Sequence, residues 1–213
     1  MEETMKAVIF DFGKVLGTFD KMRACRQFAE TSMYPAQTIY DIIIGRLEKE
    51  LESGRMSETA FCNELLHHCK VEKLTVPDVK RIWGNIFGPN PAIDPVIDKL
   101  MAQKTPIGVL SNTNSIHWPF IEDLSVMRKL KVYGAPFTLS YREHAFKPDK
   151  DLYEAALAAL GIEASETLYL DDIQEYVDAA RAIGMKAEQY DCTKNPEQIS
   201  GIMNEYGFLK EFV

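Results

Sequence analysis

Four short apolar runs along this chain stop abruptly at polar residues, and each reads as a buried parallel strand that delivers a loop. Ala7 to Phe10 stops at Asp11, and Ile107 to Leu110 stops at Ser111 and Asn112. Phe137 to Leu139 shortly precedes Lys147, and Thr167 to Leu170 stops at Asp171 and Asp172. Lys186 to Gln189 makes a weaker fifth strand. Helical spacing over Pro95 to Gln103, Asp149 to Leu160 and Tyr176 to Ile183 supplies the alternation of an α/β, doubly wound parallel sheet. Such sheets bind ligands beyond the carboxyl ends of their strands, so the four polar strand ends are predicted to converge.

Between about Lys21 and Phe87 the alternation fails. Apolar positions recur near every 3.6 residues over Cys25 to Glu30, Ala36 to Leu51 and Glu58 to Cys69. Ser57 is a good N-cap with Glu58 in the first turn, and Gly54 is a break before it. These features predict a helical cap insertion over 17–88, set into a core made of 1–16 and 89–213 and closed by a turn at Gly88-Pro89-Asn90-Pro91.

Composition narrows the partners. With 213 residues and 46% hydrophobic content, the chain can bury one sizeable core and a small second lobe. A net charge of -8 and a pI near 5.1 argue against a nucleic-acid partner, whereas a small anion needs only a few local donors and one cation. Cys25, Cys62, Cys69 and Cys192 lack the spacing of a disulfide scaffold, which suits a reducing compartment. No stretch approaches the roughly 20 apolar residues of a membrane span. Glu2 and Glu3 stand where a signal peptide would be basic, so a cytoplasmic protein with no membrane partner is expected.

Each strand end admits a plain reading and a chemical one. Asp11-Phe12-Gly13 is an ordinary strand-to-turn junction, or one carboxylate presented on a tight loop. Ser111-Asn112-Thr113-Asn114 is a polar capping turn, or a hydroxyl with converging amides for a phosphate oxygen. Lys147, before the helix-opening Pro148, is a solvated charge or a fixed cation. Asp171 and Asp172 cap the next helix, or repel one another until a cation joins them. Magnesium takes oxygen ligands and keeps several waters, so one or two protein carboxylates suffice.

In this order the four segments resemble the motifs of the haloacid dehalogenase superfamily along almost the whole chain. The segments Phe10-Asp11-Phe12-Gly13, Leu110-Ser111-Asn112-Thr113-Asn114 and Asp171-Asp172 are most similar to bacterial phosphatases acting on sugar phosphates, including the glucose-1-phosphate phosphatase group. The resemblance implies a Rossmann-like core with a C1-type cap, and hydrolysis of a small phosphorylated metabolite through an aspartyl-phosphate on Asp11. It implies Mg2+ held by Asp11, the carbonyl of Gly13 and Asp172, with Asp171 beside it or one shell out. It further implies Lys147 as a fixed cation, and Ser111 and the amide of Asn112 as phosphoryl ligands.

Two positions depart from that pattern. Gly13 stands where phosphatases of the superfamily carry the aspartate that protonates the leaving oxygen, a loss typically costing on the order of 10² to 10⁴ in rate. The hypothesis that follows is a preference for esters whose leaving group needs little protonation, such as anomeric sugar phosphates or acyl phosphates. Tyr176 stands where relatives commonly carry Asn or Asp, with Glu175 as a substitute support for the metal. These departures keep open a degenerate, non-catalytic binder of a phosphorylated ligand or protein. A metal-independent 2-haloacid dehalogenase is the other alternative, but it has no use for Asp171-Asp172.

Other residues carry weaker signals. Cys62, His67, His68 and Cys69 share one predicted helix, yet a closed zinc site needs four convergent ligands, and ordinary packing explains them. His117 and Trp118 touch a substrate or simply pack. Arg23, Arg26, Arg46 and Arg55 are scattered through the insertion, and Phe19 and Asp20 are placed by chain proximity to line an entrance.

Overall fold

The computed structural model describes residues 5–209. Strands β1 (Ala7–Phe10), β4 (Ile107–Ser111), β5 (Phe137–Leu139), β6 (Thr167–Asp171) and β7 (Lys186–Gln189) form one parallel sheet in the order β5-β4-β1-β6-β7. Alternation along the strands sends side chains to two different cores. Val8, Phe10, Val109 and Leu170 face one cluster, covered by α6 (Asp94–Ala102), α8 (Ser125–Tyr133) and α12 (Gln198–Glu205). Ile9, Leu110 and Tyr169 face the other, covered by α10 (Lys150–Leu160) and α11 (Gln174–Ala182). Burying each Leu, Ile or Val in these layers contributes about 1.5–3 kcal/mol, which fixes the strand ends as a rigid platform.

The insertion packs around a cluster of its own that includes Cys25, Phe28, Leu47, Phe61 and Trp83. Its helices are α1 (Lys21–Ala29), α2 (Ala36–Ile42), α3 (Glu48–Glu52), α4 (Glu58–His68) and α5 (Val76–Gly84). The single helix expected over Ala36 to Leu51 is broken. A π-helical turn, Ile43–Leu47, separates α2 from α3, and Gly45 leaves helical geometry there with ψ −115. Gly45 has no β-carbon to resist this, so the apolar period continues across the kink and conceals it.

The turn expected at residues 88–91 is also corrected. Phe87–Pro89 is a strand, β3, paired antiparallel with β2 (Gly17–Phe19). Three residues are too few to show alternation, and Pro89 sits in a two-stranded ribbon where a missing donor is tolerated. This ribbon carries the chain into and out of the insertion.

A second joint ties the insertion to the sheet. After β5 the short helix α9 (Ser140–Glu143) begins with a fully buried serine. The Ser140 hydroxyl donates to the Glu52 carbonyl at 2.6 Å and accepts from the Thr113 amide at 3.0 Å. Close by, Gly54 adopts φ +69, and a β-carbon on it would lie 2.5 Å from the Tyr141 carbonyl oxygen. Only glycine allows this backbone approach, so the end of α3 is held against the sheet.

Candidate active site

Asp11 follows β1, and its amide donates to the Leu170 carbonyl at 2.8 Å, so the ladder continues one residue past the strand. The residue is 6% exposed. Lys147, 1% exposed, places Nζ 2.7 Å from Asp11 Oδ1, 2.6 Å from Asp171 Oδ2 and 3.0 Å from the Tyr169 hydroxyl. The backbone around Lys147 is clamped by one side chain. Asn112 Oδ1 accepts from the Lys147 amide at 2.9 Å, and Asn112 Nδ2 donates to the Lys147 carbonyl at 3.1 Å.

Both oxygens of Asp171 already accept hydrogen bonds. Oδ2 accepts from Lys147 and from the Tyr169 hydroxyl, and Oδ1 accepts from the Ile173 amide at 2.9 Å. Among the described residues no hydrogen-bond donor reaches Asp11 Oδ2 or Asp172 Oδ1; Asp172 Oδ2 accepts from Lys14 at 3.1 Å. Carboxylate oxygens of Asp11, Asp171 and Asp172 lie within 4.8 Å of one another. An all-oxygen, carboxylate-rich set of this kind suits a hard divalent cation.

The charges are mutually dependent. Burial, with the fields of Asp171 and Asp172, pushes the Asp11 carboxyl up to about 7, against the pull of Lys147. Burial alone would lower the Lys147 ammonium, but Asp11 and Asp171 outweigh it and hold the lysine charged. Burial likewise raises Asp172, with Lys14 opposing.

These groups floor a cavity of about 270 Å³, which Ser111 and Asn112 also line. The insertion contributes Phe19, Lys21 and Glu52 to its walls, and the loop after β4 contributes His117. His117 Nδ1 lies 2.9 Å from Asn114 Nδ2, which fixes Nδ1 as an acceptor and puts the proton on Nε2. Burial drives this imidazole down to about 3, so it is neutral. Its ring packs 5.3 Å from that of Trp83 and 5.0 Å from that of Phe87.

A second acidic group adjoins the first. Ligating atoms of Glu48, Glu52 and His117 lie within 4.8 Å of one another, and Lys21 Nζ is 2.7 Å from Glu48 Oε1. Lys21 therefore neutralises Glu48. Burial, then the field of Glu48 and more weakly of Asp11, pushes Glu52 up to about 8, while Lys21 and Lys147 pull it down. Near neutral pH these forces bias Glu52 towards its protonated form.

That proton has a thermodynamic signature. The folded chain keeps it to about pH 8 and the unfolded chain releases it near 4.5, so stability falls as pH rises between those limits. Glu52→Gln carries no such proton. The thermal midpoint of the variant is expected to fall less between pH 5 and pH 8 than that of the wild type, by calorimetry. Parallel curves would mean that Glu52 is ionised in the fold.

The structure brings Asp11, Gly13, Ser111, Asn112, Lys147, Asp171 and Asp172 to one cavity. Phe19 lines it, while Asp20 instead caps α1, accepting from the Arg23 amide at 3.0 Å. None of the four insertion arginines lines it. Arg26 pairs with Asp20 at 2.7 Å and Arg46 with Glu50 and Glu64 at 3.2 Å each; Lys21 is the cation that enters. Glu175 is exposed and outside the cavity, so it gives the aspartates no support, whereas Tyr176 lines it. Cys62 and Cys69 are buried free thiols in the insertion core, and His67 and His68 are exposed.

Sequence reasoning missed Lys14, Lys21, Glu52 and Tyr169. Glu52 lies in the run Glu48-Lys49-Glu50-Leu51-Glu52, which reads as a solvated helix face. The one available signal was the four-residue spacing of Glu48 and Glu52, which puts both on one side of a helix.

Comparisons with known proteins agree with this geometry. The family model for haloacid dehalogenase-like hydrolases matches residues 5–184. A D-ribitol-5-phosphate phosphatase of Bacteroides thetaiotaomicron is 26% identical over 195 residues, covering 87% of this chain and 91% of that protein. A HAD-like family hydrolase from Porphyromonas gingivalis superposes with a TM-score of 0.78 at 26% identity, covering 98% of this chain and 100% of that one. A HAD family enzyme from B. thetaiotaomicron, solved in complex with magnesium and inorganic phosphate, gives a TM-score of 0.75 at 21% identity, over 87% and 93% of the two chains.

Proposed function

We propose, from the premise that this chain belongs to the haloacid dehalogenase-like hydrolase family and is therefore a hydrolase, that it is a magnesium-dependent phosphohydrolase of small phosphate esters acting through Asp11. The observation that carries the reading is the proximity of Asp11 and Asp172, each with a carboxylate oxygen that accepts no hydrogen bond among the described residues, beside a buried Lys147. The similarity to a D-ribitol-5-phosphate phosphatase supports a sugar or polyol phosphate as the substrate class, and a cavity of about 270 Å³ fits a molecule of that size. Segment 17–88 acts as the cap, and 1–16 with 89–213 as the catalytic core.

The Asp11 carboxylate attacks phosphorus, forming an aspartyl-phosphate that water then hydrolyses. Ser111 and the Asn112 amide bind phosphoryl oxygens, and Lys147 holds Asp11 in place while offsetting part of the charge that gathers as two anions meet. Magnesium, when bound by Asp11, Asp172 and the Gly13 carbonyl, supplies the remaining positive charge. Asp171, whose Oδ2 accepts from Lys147, positions that lysine and stands beside the ion or one shell out.

A panel of phosphate esters tests this directly. Phosphate release is expected with Mg2+, to vanish with a chelator and to return when Mg2+ is restored in excess. Release that is indifferent to the chelator would overturn the reading.

A further inference from the structure

Resting on the phosphohydrolase reading, we propose that Glu52, delivered from the insertion, is the general acid that protonates the leaving oxygen and the base that activates water in the second step. The need arises at Gly13, where the chain has no side chain to donate a proton. A β-carbon at Gly13 would lie 3.0 Å from Phe19 Cε1 and 3.4 Å from Asp11 Oδ2, so a side chain there would press on the Phe19 ring.

Glu52 lines the same cavity from the insertion while Asp11 lines it from the sheet, so an ester between them has the nucleophile and the acid on different elements. Its place does not depend on the loose packing of one helix. The Ser140 hydroxyl joins the Glu52 carbonyl to the loop of Ser111 through Thr113, and the tight approach at Gly54 pins the next turn. Glu48 and Lys21 neutralise each other beside it. Burial, then the field of Glu48, holds the Glu52 carboxyl near 8, where an acid at neutral pH still has its proton and releases it readily.

The protons balance over the cycle. As the bond from Asp11 to phosphorus forms and the bond to the leaving oxygen breaks, the Glu52 proton passes to that oxygen, leaving an alcohol and a Glu52 carboxylate. Water then attacks the aspartyl-phosphate and gives one proton to Glu52. The bond between phosphorus and Asp11 breaks, releasing phosphate and restoring both carboxyl groups to their starting states.

A series of aryl and alkyl phosphates of rising leaving-group pKa, assayed with Mg2+, separates this role from a structural one. Glu52→Gln is expected to lose on the order of 10² to 10³ in kcat/KM on alkyl phosphates. On 4-nitrophenyl phosphate it should keep the burst of nitrophenol within about threefold, with a slowed steady state. An equal loss across the series, or no loss on alkyl esters, overturns the proposal. Asp11→Asn, run beside it, tests the underlying reading: if that variant keeps turnover, the aspartyl-phosphate route falls and this proposal with it. If it is inactive while Glu52→Gln matches the wild type, only the role of Glu52 falls. Should Glu52→Gln fail to fold, the leaving-group dependence of the wild type decides, shallow with an acid in place and steep without one.

Discussion

Asp11→Asn is expected to abolish phosphate release, lowering kcat by on the order of 10⁴ or more, without unfolding the protein. The amide is nearly the same size, and Lys147 keeps Asp171 at 2.6 Å and the Tyr169 hydroxyl at 3.0 Å. The substitution also removes a carboxyl that burial already pushes up to about 7, so the thermal midpoint should hold or rise slightly. Rapid quenching with a labelled ester checks the chemistry: the wild type should yield an acid-stable, alkali-labile phosphoprotein, and the variant none. A variant within tenfold of the wild type would show that another group attacks phosphorus.

Lys147→Met should lower stability by about 3–5 kcal/mol, the usual penalty for removing one partner of a buried ion pair. Here two buried carboxylates lose their cation together, Asp11 at 2.7 Å and Asp171 at 2.6 Å. For a chain of this length the thermal midpoint should drop by on the order of 10 °C, and phosphate release should fall with it. The contrast is Lys14, whose ion pair with Asp172 is partly exposed at 3.1 Å and should contribute little to folding. A Lys147→Met protein as stable as the wild type would mean that water or a bound ion takes over the role assigned to the lysine.

The sheet was legible because buried parallel strands are continuous apolar runs, and four of the five strands appear where such runs stand, the edge strand β7 (Lys186–Gln189) being the partly exposed exception. The floor of the cavity was legible for the same reason: Asp11, Ser111 and Asp171 sit at or next to strand ends, where the change from apolar to polar marks the position. The insertion was legible only as helix. Its kink at Gly45 preserves the apolar period, and the three-residue strands of the ribbon are shorter than any alternation can reveal. Glu52 was hidden because a helix face rich in Glu and Lys looks solvated until tertiary packing closes over it. Asn112 shows a different limit. The sequence proposed its amide for phosphate, but its side chain proves to be the clamp on Lys147, a pairing across 35 residues that local spacing cannot indicate.

The β2–β3 ribbon also has a mechanical consequence. Its first strand starts at Gly17, six residues beyond Asp11, and the Gly17 carbonyl accepts from the Lys14 amide at 2.6 Å within that same loop. A short, internally braced tether therefore joins the ribbon to the Asp11 carboxylate. The entry to the insertion and the carboxylate at the end of β1 are thus parts of one braced segment of backbone.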